Sequence, residues 1–426
     1  MSVPITCPVC SSANVEIFFE MKDIPVHCNV LLATREEAVS APRGDMKLGF
    51  CHECGHIYNY VFNPKLMMYT QAYENSLHFS PRFQRYAEEL AKDLISRYDL
   101  HNKTIIEIGC GKGDFLKLMC DLGGNRGFGF DASYEPELMV YDLVEEKTSQ
   151  ERFTVIQDFY SEKYSLYNAD FICCRHVLEH VEFPNDFLNN IRSAIGSRPH
   201  AVMYFEVPNA LWTLRDLGVW DLIYEHCSYF TPDSLAYLFS TSGFEVIRLE
   251  EQFGRQFLGI EMKPKIHLVE RDSRLAQRAE RDRSPVQLAQ SFEENYRAKV
   301  QGWKKHFEQF QREGKRVVVW GGGSKGITFL NVLKQHAGLP AGDTQAGLPA
   351  GDTQVYDLVE AGVEYMVDIN PRKQGMYVAG AGQKIVGPEF LREYKPDVVI
   401  VMNPIYQEEI QRMLKAENLT PAFLTA

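Results

Sequence analysis

The sequence lacks any run of about 18 consecutive apolar residues, the length that a membrane-spanning helix needs. Its first ten residues, MSVPITCPVC, also lack the apolar core of a secretion signal. Positive charge is scarce, because 45 lysines and arginines are set against 57 acidic residues, which gives a net charge of −12. These absences argue against a membrane protein, a secreted protein and a general nucleic-acid binder, and they predict a cytoplasmic protein.

The ten cysteines indicate thiols or metal ligands, because disulfides are rare in a chain without a secretion signal. Four of them form two C-x-x-C pairs, Cys7-Pro-Val-Cys10 and Cys51-His-Glu-Cys54. Two such pairs can complete a tetrahedral zinc site, and four cysteines leave no open position for catalysis. We therefore expect a structural zinc, with four unrelated buried cysteines as the alternative. The spare candidate ligands are His27, Cys28, His52 and His56.

The stretch from Thr104 to Asp131 has the strand, glycine turn, helix and strand order of a nucleotide-binding βαβ unit. An apolar run ends in Gly109, Gly111 and Gly113, and the apolar face of a helix follows. Glycine lets the backbone pass close to a ligand, and a helix N-terminus offers unpaired N–H groups. We expect a ligand at this turn; the alternative is a tight turn in an unrelated α/β protein.

Acidic residues flank this turn in positions that suit an adenosyl cofactor. Glu107 lies just before Gly109, and Asp131 at the tip of the next strand can accept hydrogen bonds from both ribose hydroxyls. The G-x-G-x-G spacing resembles motif I of class I S-adenosylmethionine (SAM) methyltransferases rather than the NAD fingerprint. A third strand ends on Asp158 and Phe159, whose carboxylate and ring can bind and flank the adenine.

Apolar segments at 153–160, 169–181 and 201–209 alternate with helical segments. This order predicts an α/β fold with a parallel, doubly wound sheet that binds ligands at the carboxyl ends of its strands. The segment 242–263 predicts a closing antiparallel hairpin. His176, at the end of the fourth strand, is a candidate cofactor contact, and a helix cap or packing contact is an equal alternative.

The loop after the fifth strand holds an unusual polar cluster, Tyr224, Glu225 and His226. Histidine titrates near neutrality and suits proton abstraction, and a neighbouring carboxylate can orient it or raise its basicity. We expect this loop to face the methyl group of the cofactor. Tyr73, which precedes the first long helix, is a candidate to cover the cofactor pocket, with core packing as the alternative.

A second βαβ unit begins at 316, where Gly321, Gly323 and Gly326 satisfy G-x-G-x-x-G after an apolar run. Asp368, at the end of a later strand, lies farther from these glycines than an NAD site requires. Part of the gap is the segment AGLPAGDTQ at 337–345, which recurs unchanged at 346–354. Its glycines and prolines predict a surface loop.

The ordered motifs CPVC, CHECG, EIGCGKGDF, RHVLEH, EHCSYF, WGGGSKG, DINPRKQG and MNPIYQEEI resemble the nucleotide-sugar C-methyltransferase family over nearly the whole chain. The resemblance implies a class I SAM methyltransferase fold with a small N-terminal zinc module and a C-terminal Rossmann-like domain. It predicts the zinc module at 1–64, the SAM-dependent domain at 65–265, a helical linker at 266–313 and the substrate-binding domain at 314–426.

The resemblance further implies methyl transfer from SAM to C3 of a 4-keto deoxysugar attached to a nucleoside diphosphate. His226 matches the general base of the family, Glu225 its neighbour, and Tyr73 its active-site tyrosine. The C-terminal domain would bind the nucleotide end of this small-molecule substrate, where we expect Lys325, Gly323 and Asn403 to contribute. No nucleic acid and no membrane is expected as a partner.

The acceptor pocket departs from the family at three places. The usual Tyr-His-Glu-His is Ile223-Tyr224-Glu225-His226 here, Asn75 stands where an aromatic residue is usual, and GGGSKG replaces an alanine-rich turn. The main alternative is therefore a non-sugar natural-product acceptor that is methylated at carbon, oxygen or nitrogen. Further alternatives are a bifunctional enzyme that uses NAD in its last domain and a catalytically silent binding subunit.

Overall fold

The computed structural model describes residues 6–67, 73–134, 152–196, 201–265, 284–335 and 363–426. The duplicated AGLPAGDTQ segment and the first part of the predicted linker lie outside these ranges. The described residues form three β-sheets with helices packed against them. None of their helices has both the length and the apolar character needed to span a membrane.

The N-terminal sheet is antiparallel and has the strand order β1-β2-β3-β9. Its strands are β1 (Val15–Pro25), β2 (Arg43–Cys51), β3 (Ile57–Asn59) and β9 (Ser228–Tyr229). A short helix α1 (Arg35–Val39) connects β1 to β2 and starts with a capping box between Thr34 and Glu37. Because β9 comes from far along the chain, its pairing with β3 holds the loop that carries His226 against the N-terminal sheet.

The central sheet has the strand order β10-β11-β8-β7-β4-β5-β6. Only β11 runs antiparallel to its neighbours, so the predicted doubly wound sheet and its closing hairpin are confirmed. The strands are β4 (Thr104–Ile108), β5 (Arg126–Phe130), β6 (Phe153–Ile156), β7 (Phe171–Arg175), β8 (Val202–Pro208), β10 (Phe244–Gln252) and β11 (Phe257–Pro264). The accompanying helices are α2 (Pro81–Tyr98), α3 (Asp114–Gly123), α4 (Pro184–Ile195), α5 (Ala210–Arg215) and α6 (Pro232–Thr241).

The C-terminal sheet is parallel throughout and has the order β14-β13-β12-β15-β16. Its strands are β12 (Val317–Trp320), β13 (Val363–Val367), β14 (Lys384–Val386), β15 (Val398–Val401) and β16 (Ala422–Thr425). The helices are α7 (Ser284–Glu313), α8 (Ser324–Gln335), α9 (Leu391–Tyr394) and α10 (Gln407–Ala416). The boundaries between the four predicted units stay predictions.

Aromatic packing ties the long helix α7 to the N-terminal sheet. The ring centroids of Phe292 and Tyr296 lie 5.1 and 4.8 Å from that of Phe19 in β1, in edge-to-face geometry. On the other side, Phe307 of α7 packs against Phe329 of α8. One continuous apolar core therefore joins the first and last sheets through this helix.

The carboxyl ends of the central and C-terminal sheets open onto the same cavity. Pro208 and His176, at the ends of β8 and β7, line one wall, and Trp320 and Val401, at the ends of β12 and β15, line another. Parallel strands place loops and helix N-termini at this edge, where α/β proteins bind ligands. The fold therefore places the second glycine turn, through Gly321 and Gly323, in this cavity.

Candidate active site

The first glycine turn has the backbone conformation that its sequence predicts. Gly109, Gly111 and Gly113 have φ values of +68°, +54° and +82°, which side-chain-bearing residues rarely adopt. A Cβ atom on Gly109 would lie 2.2 Å from Cγ2 of Val177, whereas no described atom lies within 4 Å of the corresponding position on Gly111. The turn is thus closed on one side by packing and open on the other, where a ligand can approach its backbone.

Two carboxylates flank this open side. The backbone N–H of Gly111 donates to Oδ2 of Asp131 at 2.8 Å, and Oδ1 accepts from Ser133. Burial raises the pKa of Glu107 to about 8, and its Oε2 has no hydrogen-bond partner among the described residues. A carboxylate has about four acceptor positions, and Gly111 and Ser133 use three of them, so Asp131 keeps one for a ribose hydroxyl and gains a second if the Ser133 hydroxyl turns away. The open turn, the unpartnered buried oxygen and the acid at the strand tip fit SAM.

The predicted adenine contacts lie at the outer end of the same edge. Hydrogen bonds from Lys163 and Tyr164 lower the pKa of Asp158 to about 2, which keeps its carboxylate ionised and able to accept. The Phe159 side chain is 78% exposed, so its ring is accessible to a flat base. Their assignment to the cofactor stays a prediction.

A cavity of about 290 Å³ lies between the central and C-terminal sheets. The structure brings together seven of the side chains and turn residues predicted for the cofactor, the base and the substrate. These are Tyr73, His176, Glu225, His226, Gly323, Lys325 and Asn403. The cavity adjoins the first glycine turn. His176 lines the cavity, and the next residue, Val177, packs on Gly109 of that turn.

Tyr224 is not among the residues that line this cavity. Its ring is buried in the core, and its hydroxyl accepts a hydrogen bond from the backbone N–H of Asn63 at 2.9 Å. The structure therefore places the predicted catalytic Tyr224 in a packing position, away from the other predicted catalytic side chains.

The Glu225 carboxylate is fully buried and holds Tyr73. The Tyr73 hydroxyl donates to Oε2 at 3.0 Å, and the backbone N–H of Cys28 donates to Oε1 at 2.8 Å. His27 lies 3.7 Å from the same Oε1. Among the described contacts, none joins this carboxylate to the His226 ring. The sequence predicts that Glu225 orients its neighbour His226. In the structure the Glu225 carboxylate instead holds Tyr73.

His226 has an imidazole that stays neutral. Burial, and to a smaller extent the electrostatic influence of the neighbouring His180, His176 and Lys325, hold its pKa well below the usual range. The ring centroid of His180 lies 4.9 Å from that of His226, and His180 Nδ1 is fixed by the backbone carbonyl of Glu225 at 2.9 Å. The buried Nδ1 of His226 has no hydrogen-bond partner among the described residues. A neutral imidazole in this setting can accept a proton.

His176 carries the opposite charge state. Burial disfavours its charged form, but hydrogen bonds and charge interactions with Glu179 and Glu206 raise its pKa to about 9. Its Nε2 lies 2.9 Å from Oε1 of Glu206, which also accepts from Arg175 at 2.8 Å. His176 is therefore an imidazolium held in a buried ion-pair network, and its predicted cofactor contact stays a prediction.

The second glycine turn has its own cations and acids. Lys325 is paired with Asp221 and lies 4.9 Å from the centre of the Trp212 ring. Asn403 exchanges two hydrogen bonds of 2.9 Å with Gln256. Both predicted substrate residues are thus held in place by the central domain.

The structure adds Lys373, which the sequence analysis did not single out. It is buried, and its Nζ donates to the carbonyl of Gly322 at 3.1 Å and to Asn29 Oδ1 at 3.3 Å. Lys373 belongs to the motif DINPRKQG, which follows a predicted strand. A basic residue soon after the end of a strand could therefore have indicated an anion-binding role from the sequence alone. Its location places a second cation at the glycine turn.

The four predicted zinc ligands converge. Cys7 Sγ lies 3.6 Å from Cys54 Sγ, and Cys10 Sγ lies 3.5 Å from Cys51 Sγ. All four sulfurs lie within 4.8 Å of one another. Zn–S bonds of about 2.3 Å in a tetrahedron place sulfurs about 3.8 Å apart, so the residues fit zinc. Among the described residues, the only other group this close is Glu179, His180 and His226, at the cavity.

Removal of zinc should unfold the N-terminal sheet first. Structural zinc sites contribute folding free energy directly. Strand β3 starts just after Cys54, and it pairs with β9, which closely follows His226. We expect a chelator to increase hydrogen exchange in the 51–59 segment before methyl-transfer activity falls. A protein that keeps low exchange there after the metal is lost, as measured by mass spectrometry, would contradict a structural role.

Comparison with known families identifies two regions of the chain. A family model described as a methyltransferase domain matches residues 83–249, and one described as a C-methyltransferase C-terminal domain matches residues 353–420. A comparison with curated proteins yields no match. The first matched region spans the central sheet from α2 to β10, which has the class I SAM methyltransferase fold.

Three solved structures show a distant likeness to part of the chain. Each covers 43% of this chain. The 1,6-didemethyltoxoflavin-N1-methyltransferase of Burkholderia thailandensis is 14% identical, is covered over 81% of its length and has a TM-score of 0.32. For N,N-8-amino-8-demethyl-D-riboflavin dimethyltransferase of Streptomyces davawensis the identity is 20%, the coverage 56% and the TM-score 0.33, and for magnesium protoporphyrin IX methyltransferase of Synechocystis they are 15%, 84% and 0.31. At these scores the likeness carries no weight for function.

Proposed function

We propose that this chain, a SAM-dependent methyltransferase with a C-methyltransferase C-terminal domain, methylates a carbon next to a ketone in a small-molecule acceptor. The observation that carries the proposal is the neutral His226 imidazole in a cavity shared with the Tyr73–Glu225 pair and the second glycine turn. A carbon acid requires such a base, and a ketone makes the neighbouring C–H acidic enough for imidazole, whereas an amine or thiolate acceptor needs no strong proton removal.

His226 accepts the proton from the carbon that is to be methylated. Because its pKa is held below the usual range, the ring is unprotonated at neutral pH and is ready before the acceptor binds. The positive charges around it stabilise the negative charge that develops on the acceptor as the proton leaves. When bound, SAM would supply the electrophilic methyl group: its S–CH₃ bond would break as the C–CH₃ bond forms, which leaves S-adenosylhomocysteine, and the proton of the broken C–H bond would stay on His226.

Tyr73 serves the ketone oxygen. Its hydroxyl lies in the cavity and donates to Glu225, but rotation about the C–O bond can redirect the proton to an enolate oxygen. Glu225 tolerates this change because it keeps the hydrogen bond from the Cys28 N–H. A preorganised donor of this type stabilises the charge where it appears.

The cofactor end is held by the first glycine turn. The backbone of Gly111 offers the open approach, and Asp131, which is already fixed by the Gly111 N–H, presents its remaining acceptor positions to the ribose. A cofactor held by these residues would lie beside the cavity, because His176, which lines the cavity, directly precedes Val177, which packs on Gly109.

The proposed acceptor is a nucleotide-linked 4-keto deoxysugar that is methylated at C3. Lys325 and Lys373 place two cations beside the second glycine turn, where a diphosphate would find charge and backbone N–H groups. Asp221, the present partner of Lys325, would then be exchanged for phosphate. The cavity between the sheets separates this anion site from His226, as a sugar between the two requires.

One observation favours NAD in the last domain as a second candidate. Asp368 Oδ2 accepts from the Gly322 N–H at 2.8 Å, and Asp131 accepts from the Gly111 N–H at the same distance. An acid at a strand tip beside a glycine turn suits ribose hydroxyls. In NAD, Asp368 would bind ribose hydroxyls, whereas the proposed acceptor would place its diphosphate beside Lys325 and Lys373, so binding of NAD(H) and of nucleotide sugars distinguishes the two candidates.

A panel assay tests these proposals. The protein is incubated with SAM and each of several nucleotide 4-ketosugars, nucleotide sugars without a ketone, and non-sugar ketones, and products are identified by mass and by the position of the methyl group. Transfer to carbon only with 4-ketosugars supports the proposed acceptor. Transfer to oxygen or nitrogen would overturn it, and stabilisation by NAD(H) equal to that by SAM would favour the second candidate.

The rate of methyl transfer should stay constant on the acid side of neutrality. A general base works only when it is unprotonated, so a pKa lowered by burial and by positive neighbours moves the loss of activity to a pH below about 6.5, the ordinary histidine value. We expect kcat to be constant between pH 7.5 and 6.5 and to fall only at a pH below 6.5. A kcat that falls with a midpoint near 7 would contradict the neutral His226.

A further inference from the structure

Glu74 is a buried carboxylate next to Tyr73 and is not among the residues that line the cavity. It is only 3% exposed, and charges surround it. It pairs with Lys112, accepts from Arg372 Nη1 at 3.1 Å and accepts from Asn370 Nδ2 at 3.1 Å. Burial raises its pKa, but the hydrogen bonds and charges of Lys112 and Arg372 outweigh burial and lower it. Glu74 is therefore an ionised group with partners on several sides.

These partners belong to two different parts of the molecule. Lys112 lies between Gly111 and Gly113 in the turn that fits SAM. Asn370 and Arg372 follow β13 of the C-terminal sheet, and Asn370 lines the cavity. One carboxylate thus joins the cofactor turn to the wall that we propose to hold the nucleotide end of the acceptor.

The backbone around Glu74 transmits its position to Tyr73. The N–H of Glu74 donates to the carbonyl of Asn29 at 2.7 Å, and Tyr73 forms a β-bridge with Val30. Ser76 adds a second link to the cofactor side through Asp114, at 3.5 Å. These contacts anchor the backbone of Tyr73 and Glu74 to the same N-terminal segment, so the Glu74 carboxylate and the Tyr73 hydroxyl project from one fixed piece of chain.

We propose that Glu74 is a positioning residue that couples an occupied cofactor turn to the placement of Tyr73 and of the 370–373 loop. A ligand that orders the turn fixes Lys112, Lys112 fixes Glu74, and Glu74 fixes Asn370 and Arg372 on the far wall. The role of Tyr73 rests on the proposed function, whereas the link from the cofactor turn to the 370–373 loop does not.

Hydrogen exchange with S-adenosylhomocysteine alone tests the coupling without any acceptor. In the wild type, we expect this ligand to slow amide exchange in the turn at 109–114 and also in the segment 370–376. In Glu74→Gln, which keeps the shape and removes the charge, protection should remain at the turn and disappear at 370–376. The matched control is Glu88→Gln, an exposed glutamate of α2 that pairs with Lys92.

The proposal is overturned if ligand-dependent protection at 370–376 is absent in the wild type or unchanged in Glu74→Gln. Should Glu74→Gln fail to fold, Lys112→Met cuts the same link while Arg372 and Asn370 still satisfy the carboxylate. If Lys112→Met loses the ligand-dependent protection at 370–376, the coupling is supported. If this variant keeps that protection, the coupling is refuted. Titration calorimetry with S-adenosylhomocysteine gives a further check. If Glu74 and Lys112 act through one link, the loss of affinity in the double variant Glu74→Gln/Lys112→Met should be about fivefold smaller than the product of the losses in the two single variants.

These outcomes separate the coupling from the proposed function. Lost coupling in Glu74→Gln together with a negative acceptor panel would support the link and reject the acceptor. An active enzyme whose Glu74→Gln variant has an unchanged kcat and an unchanged KM for SAM would refute the positioning role itself.

Discussion

Replacement of His226 by alanine should lower the rate of methyl transfer by about 10²- to 10⁴-fold, the usual contribution of a general base. The physical reason is that a carbon acceptor has no nucleophilic electron pair until its proton is removed. Binding of S-adenosylhomocysteine should stay unchanged, because the described contacts of the cofactor turn do not include this ring. Single-turnover kinetics and titration calorimetry measure the two effects separately.

The control for this variant is His306→Ala, which removes an exposed imidazole from the surface of α7. Its activity should equal that of the wild type. If His226→Ala kept more than about a tenth of the wild-type rate, the group would not be the base. Such a result would favour an oxygen or nitrogen acceptor that reacts without strong proton removal.

Replacement of Asp131 by alanine should have the reverse pattern, with a loss of cofactor affinity of about 10- to 100-fold. Hydrogen bonds to a charged group contribute about 1.5–3 kcal/mol each, and this carboxylate both fixes the Gly111 N–H and is placed for the ribose. At saturating SAM the rate should recover, because the base and Tyr73 are untouched. Calorimetry with S-adenosylhomocysteine measures the affinity directly.

Asp121→Ala is the matched control, since Asp121 is an exposed acid of α3 that pairs with Lys117 one helical turn away. It should bind the cofactor normally. Unchanged affinity in Asp131→Ala would instead mean that the ligand does not reach this strand tip, and the cofactor assignment of the first glycine turn would be wrong.

The opposite patterns of these two variants reflect the geometry of the site. Asp131 belongs to the tip of β5, whereas His226 lies in a loop that β9 holds against the N-terminal sheet. A variant at one place leaves the described hydrogen bonds of the other intact, so the effects on binding and on chemistry should be additive when both are combined.

The central fold and the cofactor turn could be predicted because their signals are local. Alternation of apolar strands with helices specifies a parallel sheet, and the spacing of Gly109, Gly111 and Gly113 specifies a turn with positive φ. The two C-x-x-C pairs are equally local, and their convergence follows from the coordination chemistry of zinc. Within each of these motifs, neighbours in sequence are also neighbours in space.

The acceptor site could be predicted only in part because its contacts are not local. Tyr73 meets Glu225 across 152 positions and Cys28 meets it across 197, and no periodicity connects such residues. Adjacency in sequence predicts that Glu225 serves His226, but successive residues of an extended loop point in different directions. The same reason explains why Tyr224 is buried beside Asn63 while His226 faces the cavity.

The sequence by itself determined the parallel sheet, the glycine turn with its acids and the paired cysteines, since each depends on residue types at short spacing. Only the tertiary structure decided which carboxylate holds Tyr73, that Lys373 joins the second glycine turn, and that Glu74 connects the first glycine turn to the loop after β13. These depend on how three sheets pack against one another, and packing joins side chains whose separation along the chain carries no information about their distance in space.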